Sequence, residues 1–170
     1  MMHVHTLRAK FAFILLLFAL FSWPLAARDQ TPQPSGPVTD LAQVLSAPDA
    51  LRIARLLLSY QRETSHQIAV LTTPSLGGEP IEVYSRRMAK AWGLGQAGVD
   101  NGILIVLAPQ DRRVRIELGR GFERYVSNAR AAEIVAQDMQ PFFKERDYAQ
   151  GLEHGIRQLM DDGRHFVVPR

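Results

Sequence analysis

The chain has 170 residues, 20 Lys+Arg against 17 Asp+Glu, and no cysteine. That length suits one ordinary domain, and its 46% apolar content suits a globular one. The absence of cysteine excludes a disulfide framework, a thiolate nucleophile, a cysteine zinc site, an iron–sulfur cluster and a lipid-modified N-terminal Cys.

The opening segment has the pattern of an export signal. Arg8 and Lys10 give a positive start, and Phe11 to Phe21 is an unbroken apolar run. The run is too short for a bilayer, which needs about 18–20 residues. Pro24 breaks it, and Ala26-Ala27 offers a small-residue cleavage site. Residues 1–27 therefore read as a secretory signal peptide and place the protein, soluble, in the periplasm; an uncleaved N-terminal anchor is the competing reading. No later run is long and apolar enough to span a membrane. Loss of residues 1–27 removes Arg8 and Lys10 and leaves 18 basic and 17 acidic residues, net +1. That balance carries no electrostatic footprint for nucleic acid.

Residues 28–37, with Pro32, Pro34, Gly36 and Pro37, read as a flexible leader, and the domain occupies 38–168. Ser46-Ala47-Pro48-Asp49 is a capping box. Ile53, Leu57 and Tyr60 follow at helical spacing, which predicts a helix over about 47–64. Ile68-Ala69-Val70-Leu71 predicts a buried strand over 68–73. Pro80 opens a second helix over about 81–91, with Ile81, Tyr84 and Met88 on one face and Gly93 as its stop. Ile103 to Ala108 is apolar throughout, so both faces are buried and the strand is central. Val114, Ile116 and Leu118 alternate with Arg113, Arg115 and Glu117, giving a strand antiparallel to 103–108. Residues 129 to 143 read as helical until Pro141. Asp147 and Gln150 cap a last helix with Tyr148, Leu152, Ile156, Leu159 and Met160 on its apolar face. The order predicts an α/β/α sandwich with a mixed sheet of about four strands. Val38-Thr39 supplies a further strand, and a right-handed crossover joins 68–73 to 103–108.

The chemistry-bearing candidates lie in two loops. Trp92 to Gly102 is Gly-rich and ends in Asp100 and Asn101, whose oxygens are hard donors of the type Ca²⁺ or Mg²⁺ takes; a plain Asp-Asn-Gly turn is the alternative. Gly119-Arg120-Gly121 lacks the third glycine of a dinucleotide loop. Antiparallel pairing puts it beside Asp100, where glycine N–H groups can face an anion; a turn into the next helix is the alternative. Nothing calls for a haem, a flavin or a nucleotide, and no nucleophile–base pattern is legible, so catalytic residues stay unassigned. Asp40 is placed as a second carboxylate: residues 40–46, if extended, span roughly 20 Å and return it to the Asp100 end of the sheet.

Val38-Thr39-Asp40, Ser75-Leu76-Gly77-Gly78, Trp92-Gly93-Leu94-Gly95, Asp100-Asn101-Gly102, Asp111-Arg112-Arg113 and Gly119-Arg120-Gly121-Phe122-Glu123, in that order, resemble the TPM domain family of thylakoid lumen, photosystem II repair and bacterial envelope proteins. The resemblance implies an α/β/α sandwich, divalent-ion binding in some members and acid phosphatase activity in some. Many bacterial relatives add a transmembrane helix and a Gly-rich tail, and this chain shows neither before Arg170. Relatives often carry an acidic residue where this chain has Asn128. The expectation is a divalent-ion module holding Ca or Mg through Asp40, Asp100 and Asn101, which assists assembly or maintenance of envelope membrane complexes. The alternative is a metal-assisted acid phosphatase, with Arg115, Gly119, Arg120 and Gly121 as the phosphate candidates.

Overall fold

The structure, a computed structural model, describes residues 31–164. The predicted signal peptide lies outside these residues. Four strands form one sheet in the order β1 (Val38–Asp40), β2 (Gln67–Thr72), β3 (Gly102–Ala108) and β4 (Arg113–Leu118). The first three are parallel, and β4 is antiparallel to β3. β3, apolar on both faces, is flanked on both sides as expected, and each of its seven residues is buried.

Helix α1 (Ala47–Thr64) is capped by Ser46, whose hydroxyl accepts from the Asp49 N–H and donates to the Asp49 carboxylate. Its buried stripe of Ile53, Leu57 and Tyr60 packs on one face of the sheet, over Ile68, Val70, Ile103 and Ile105. Helix α2 (Ile81–Ala91) covers the other face, with Ile81, Tyr84 and Met88 over Ala69, Leu71, Leu104 and Val106. The alternation of strand residues between these two clusters is the period-2 rule of a sheet covered on both sides. β1–α1–β2 and β2–α2–β3 step the same way across the sheet, yet their helices lie on opposite faces. The two crossovers therefore have opposite hands, and one of them is the uncommon left-handed kind.

The segment after β4 departs from the simple helix expected to end at Pro141. α3 (Asn128–Ile134) passes into one wide π turn over Val135–Met139, and α4 (Gln140–Lys144) follows with Pro141 in its first turn. Proline has no N–H and is tolerated only where that donor lacks an intrahelical partner. The π turn supplies the break, since the Gln140 N–H donates to Val135 five residues back. Helix α5 (Tyr148–Gly163) is capped by Asp147, which accepts from the Gln150 N–H at 3.1 Å. It packs beside α1 in the larger cluster through Leu152, Ile156, Leu159 and Met160. Among the described residues, no helix is long and apolar enough to cross a membrane.

Candidate functional site

The two Gly-rich loops meet at the end of the sheet where β3 begins and β4 ends. The Gly119 N–H donates to the Gly102 carbonyl at 2.8 Å, and the Gly121 N–H donates to the Asp100 carbonyl at 3.1 Å. Side chains are excluded at both positions. A Cβ on Gly119 would lie 2.1 Å from the Asp100 carbonyl oxygen, and one on Gly121 would lie 1.7 Å from that of Val99. The glycine pair thus lets two backbones touch. Both N–H groups are spent on that contact, so the anion cradle expected of Gly119 and Gly121 is not formed.

Asn101 locks the loop from inside. It is fully buried; its side-chain oxygen accepts from the Gln96 N–H at 2.8 Å, and its Nδ2 donates to the Ser65 carbonyl at 2.8 Å. Its backbone carbonyl accepts from the Gln67 N–H at 3.3 Å. Gln67 in turn accepts from the Gly95 N–H at 2.8 Å. These bonds satisfy buried polar groups that would otherwise be costly, and they commit both Asn101 oxygens to the fold.

Asp100 is different. Its backbone is fixed in the left-handed region at φ 53°, a conformation Asp tolerates better than most residues. Its carboxylate is 47% exposed and sits 3.4 Å from the guanidinium of Arg120, itself 89% exposed. Such an open pair contributes little to stability.

Asp40 is not at this end. It is the last residue of β1 and pairs in register with Thr72, which pairs with Leu107 of β3. Asp100 lies seven positions before Leu107, in the loop just ahead of β3, on the order of 20 Å away at about 3.3 Å per residue. The segment after Asp40 is a turn and not an extended return. The carboxylate accepts from the Val44 and Leu45 N–H groups at 3.2 and 2.9 Å and from the Thr72 hydroxyl. Asp40, Asp100 and Asn101 therefore do not form a shared cage, and among the described residues no three His, Asp or Glu side chains gather as metal ligands.

The phosphatase constellation is dispersed in the same way. Arg115 lies mid-strand on β4, and its Nε donates to Glu117 at 2.9 Å. Glu117 also accepts from the Ser85 hydroxyl of α2 at 2.9 Å. Asn128 starts α3 and donates to Glu123 at 2.9 Å.

Beneath the two loops lies a buried polar pair. The His66 Nδ1 is 3.2 Å from the Tyr60 hydroxyl, and the Phe122 ring meets the imidazole edge-on with centroids 4.9 Å apart. Burial pushes the Tyr60 hydroxyl up to about 12 and holds His66 below its usual value. In the sequence, only the apolar strand that directly follows His66 points to its burial.

Residues 38–162 match the TPM domain. Among solved structures, the chain is similar to the N-terminal domain of a P. gingivalis protein, with 32% identity and a TM-score of 0.71 over 76% of this chain and 82% of that one. The BA42 protein of the psychrophile Bizionia argentinensis (20% identity, TM-score 0.64, 74% and 86% coverage) shares the fold. So does the N-terminal domain of a Corynebacterium glutamicum protein (18%, 0.60, 78% and 84%). No curated protein matches this chain. A match that runs from β1 to the last turns of α5, together with this sheet order, means that the chain belongs to the TPM domain family.

Proposed function

We propose that the protein is an exported, non-catalytic binding module of the cell envelope that takes one hydrated divalent cation at Asp100 and assists membrane complexes there. The observation that carries this reading is the state of the Asp100 carboxylate. It is half-exposed on a backbone locked by Asn101 and Gly121, and its neighbour is an exposed arginine that can swing aside. One rigid carboxylate supplemented by water is a donor set that Mg²⁺ accepts and Ca²⁺ binds loosely. Export rests on the n-region, apolar run and small residues of 1–27.

Magnesium and calcium titrations followed by amide NMR test the ion. Shifts confined to 96–102 and 119–123, saturating near the millimolar range typical of open extracellular sites and abolished by Asp100→Asn, are expected. Absence of saturable shifts, or their persistence in Asp100→Asn, would sink it. Export with cleavage is tested separately by the N-terminus of material from the envelope fraction: a start near Arg28 supports it, and a start at Met1 or Met2 refutes cleavage in favour of an uncleaved anchor.

A further inference from the structure

A cleft of about 850 Å³ opens at the opposite end of the sheet from Asp100, between the β3–β4 turn and the α4–α5 turn. Its floor includes Phe143 and Tyr148, whose ring centroids are 5.7 Å apart, with Val114 beside them. Its wall carries Arg112, Arg113, Lys144 and Arg146. Among the described residues, no acidic one lines it.

The pattern of ion pairs makes this cluster unusual. Among the described residues, eight basic side chains have no acidic partner, and four of the eight line this cleft. Two nearby carboxylates are engaged elsewhere, and Glu145, between Lys144 and Arg146, does not line the cleft. Asp111 accepts from the Leu76 N–H at 2.8 Å, and Asp147 caps α5. Two of the four cations, Arg112 at φ 52° and Arg146 at φ 62°, hold left-handed turn positions where Gly or Asn is the usual residue. The Arg112 and Arg146 N–H groups close the two turns, donating to the Pro109 and Phe143 carbonyls at 3.2 and 3.1 Å, but their guanidinium groups have no acidic partner among the described residues, and backbone outliers of this kind gather at binding sites.

We infer that this cleft binds a phosphate ester with an apolar body. Three guanidinium forks match phosphate oxygens, and an ammonium adds charge. The aromatic floor takes the attached acyl or aryl portion, in the mixed lining usual for small-molecule sites. Binding alone is inferred; no bond is made or broken. The site is independent of the Asp100 reading, being at the far end of β3.

The experiment is amide NMR on the full chain with four probes: phenyl phosphate, monomeric short-chain phosphatidylglycerol, inorganic phosphate and phenol. Saturable shifts at 109–114 and 140–148 with an organic phosphate are expected, with inorganic phosphate at least tenfold weaker and phenol silent. Preference for phenyl phosphate identifies a soluble ester as the ligand class, and preference for the phosphatidylglycerol identifies a lipid headgroup. Arg112→Gln with Arg146→Gln should weaken binding at least tenfold while leaving the remaining amide spectrum unchanged. The inference fails if neither organic phosphate shifts these residues, if phosphate alone binds as tightly, or if the double substitution leaves affinity intact.

Discussion

The carbonyl oxygen of Val99 occupies the place where a side chain on Gly121 would begin, 1.7 Å from an ideal Cβ. The obstruction is backbone and cannot rotate away. Gly121→Ala should therefore force apart the contact between the 92–102 loop and the 119–124 turn. The expected cost is about 3 kcal/mol or more, at the upper end of single substitutions. Gly77→Ala is the control: its Cβ meets nothing within 4 Å, and only its left-handed φ of 63° is unfavourable, which costs about 1 kcal/mol. Urea unfolding of the two variants should show that order, and equal midpoints would contradict the packing argument.

Asp40 and Asp100 should separate in the same kind of measurement. Asp40→Ala removes the acceptor for two N–H groups and a hydroxyl, at an expected cost of roughly 2–3 kcal/mol. Asp100→Asn keeps a residue that tolerates the left-handed region and should change stability by no more than about 0.5 kcal/mol. A large loss in Asp100→Asn without ion would show that its carboxylate is structural.

Stability should fall as pH is lowered below about 6.5, through His66. Burial depresses its native-state value below the 6.5 of an unperturbed imidazole, which is what the unfolded chain has. In the window beneath 6.5 the unfolded chain takes up a proton that the native state refuses, so the equilibrium moves toward unfolding until the lowered native value is reached. Above 6.5 the imidazole is neutral in both states and contributes no slope. Urea midpoints between pH 7.5 and 5 should follow this course, and His66→Gln should flatten the pH dependence whatever its effect on absolute stability. An unchanged slope in that variant would assign the titration to another group.

The elements were legible wherever local chemistry dictates them. The Ser46 and Asp147 caps start α1 and α5, the apolar run from Ile103 makes the interior strand, and the alternation after Arg113 makes its antiparallel partner. The adjacency of Gly119-Arg120-Gly121 to Asp100 followed from that pairing. The position of Asp40 did not, because residues 41–46 do not run out straight; the Asp40 carboxylate collects the N–H groups of Val44 and Leu45 and folds the segment over itself. The π turn before Pro141 was hidden because proline inside a helical pattern reads as an end and not as a restart. The basic cleft was invisible for a different reason. Its two turns are about thirty residues apart in sequence, and the arginine-rich composition reads as background until the ion pairs are assigned.

The two faces of the sheet are unequally guarded. α1, the α3–α4 segment and α5 share one face, whereas α2, a helix of 11 residues, is the principal cover of the other. Sub-global opening follows the weakest cover, so α2 amides should exchange with deuterium before those of α1 and α5. The opened species would bare a continuous stripe of Ala69, Leu71, Leu104, Val106 and Ala108, a surface to which a second chain in the same condition would adhere. The aggregation route of this domain thus begins with the peeling of one helix while the rest of the sandwich stays folded.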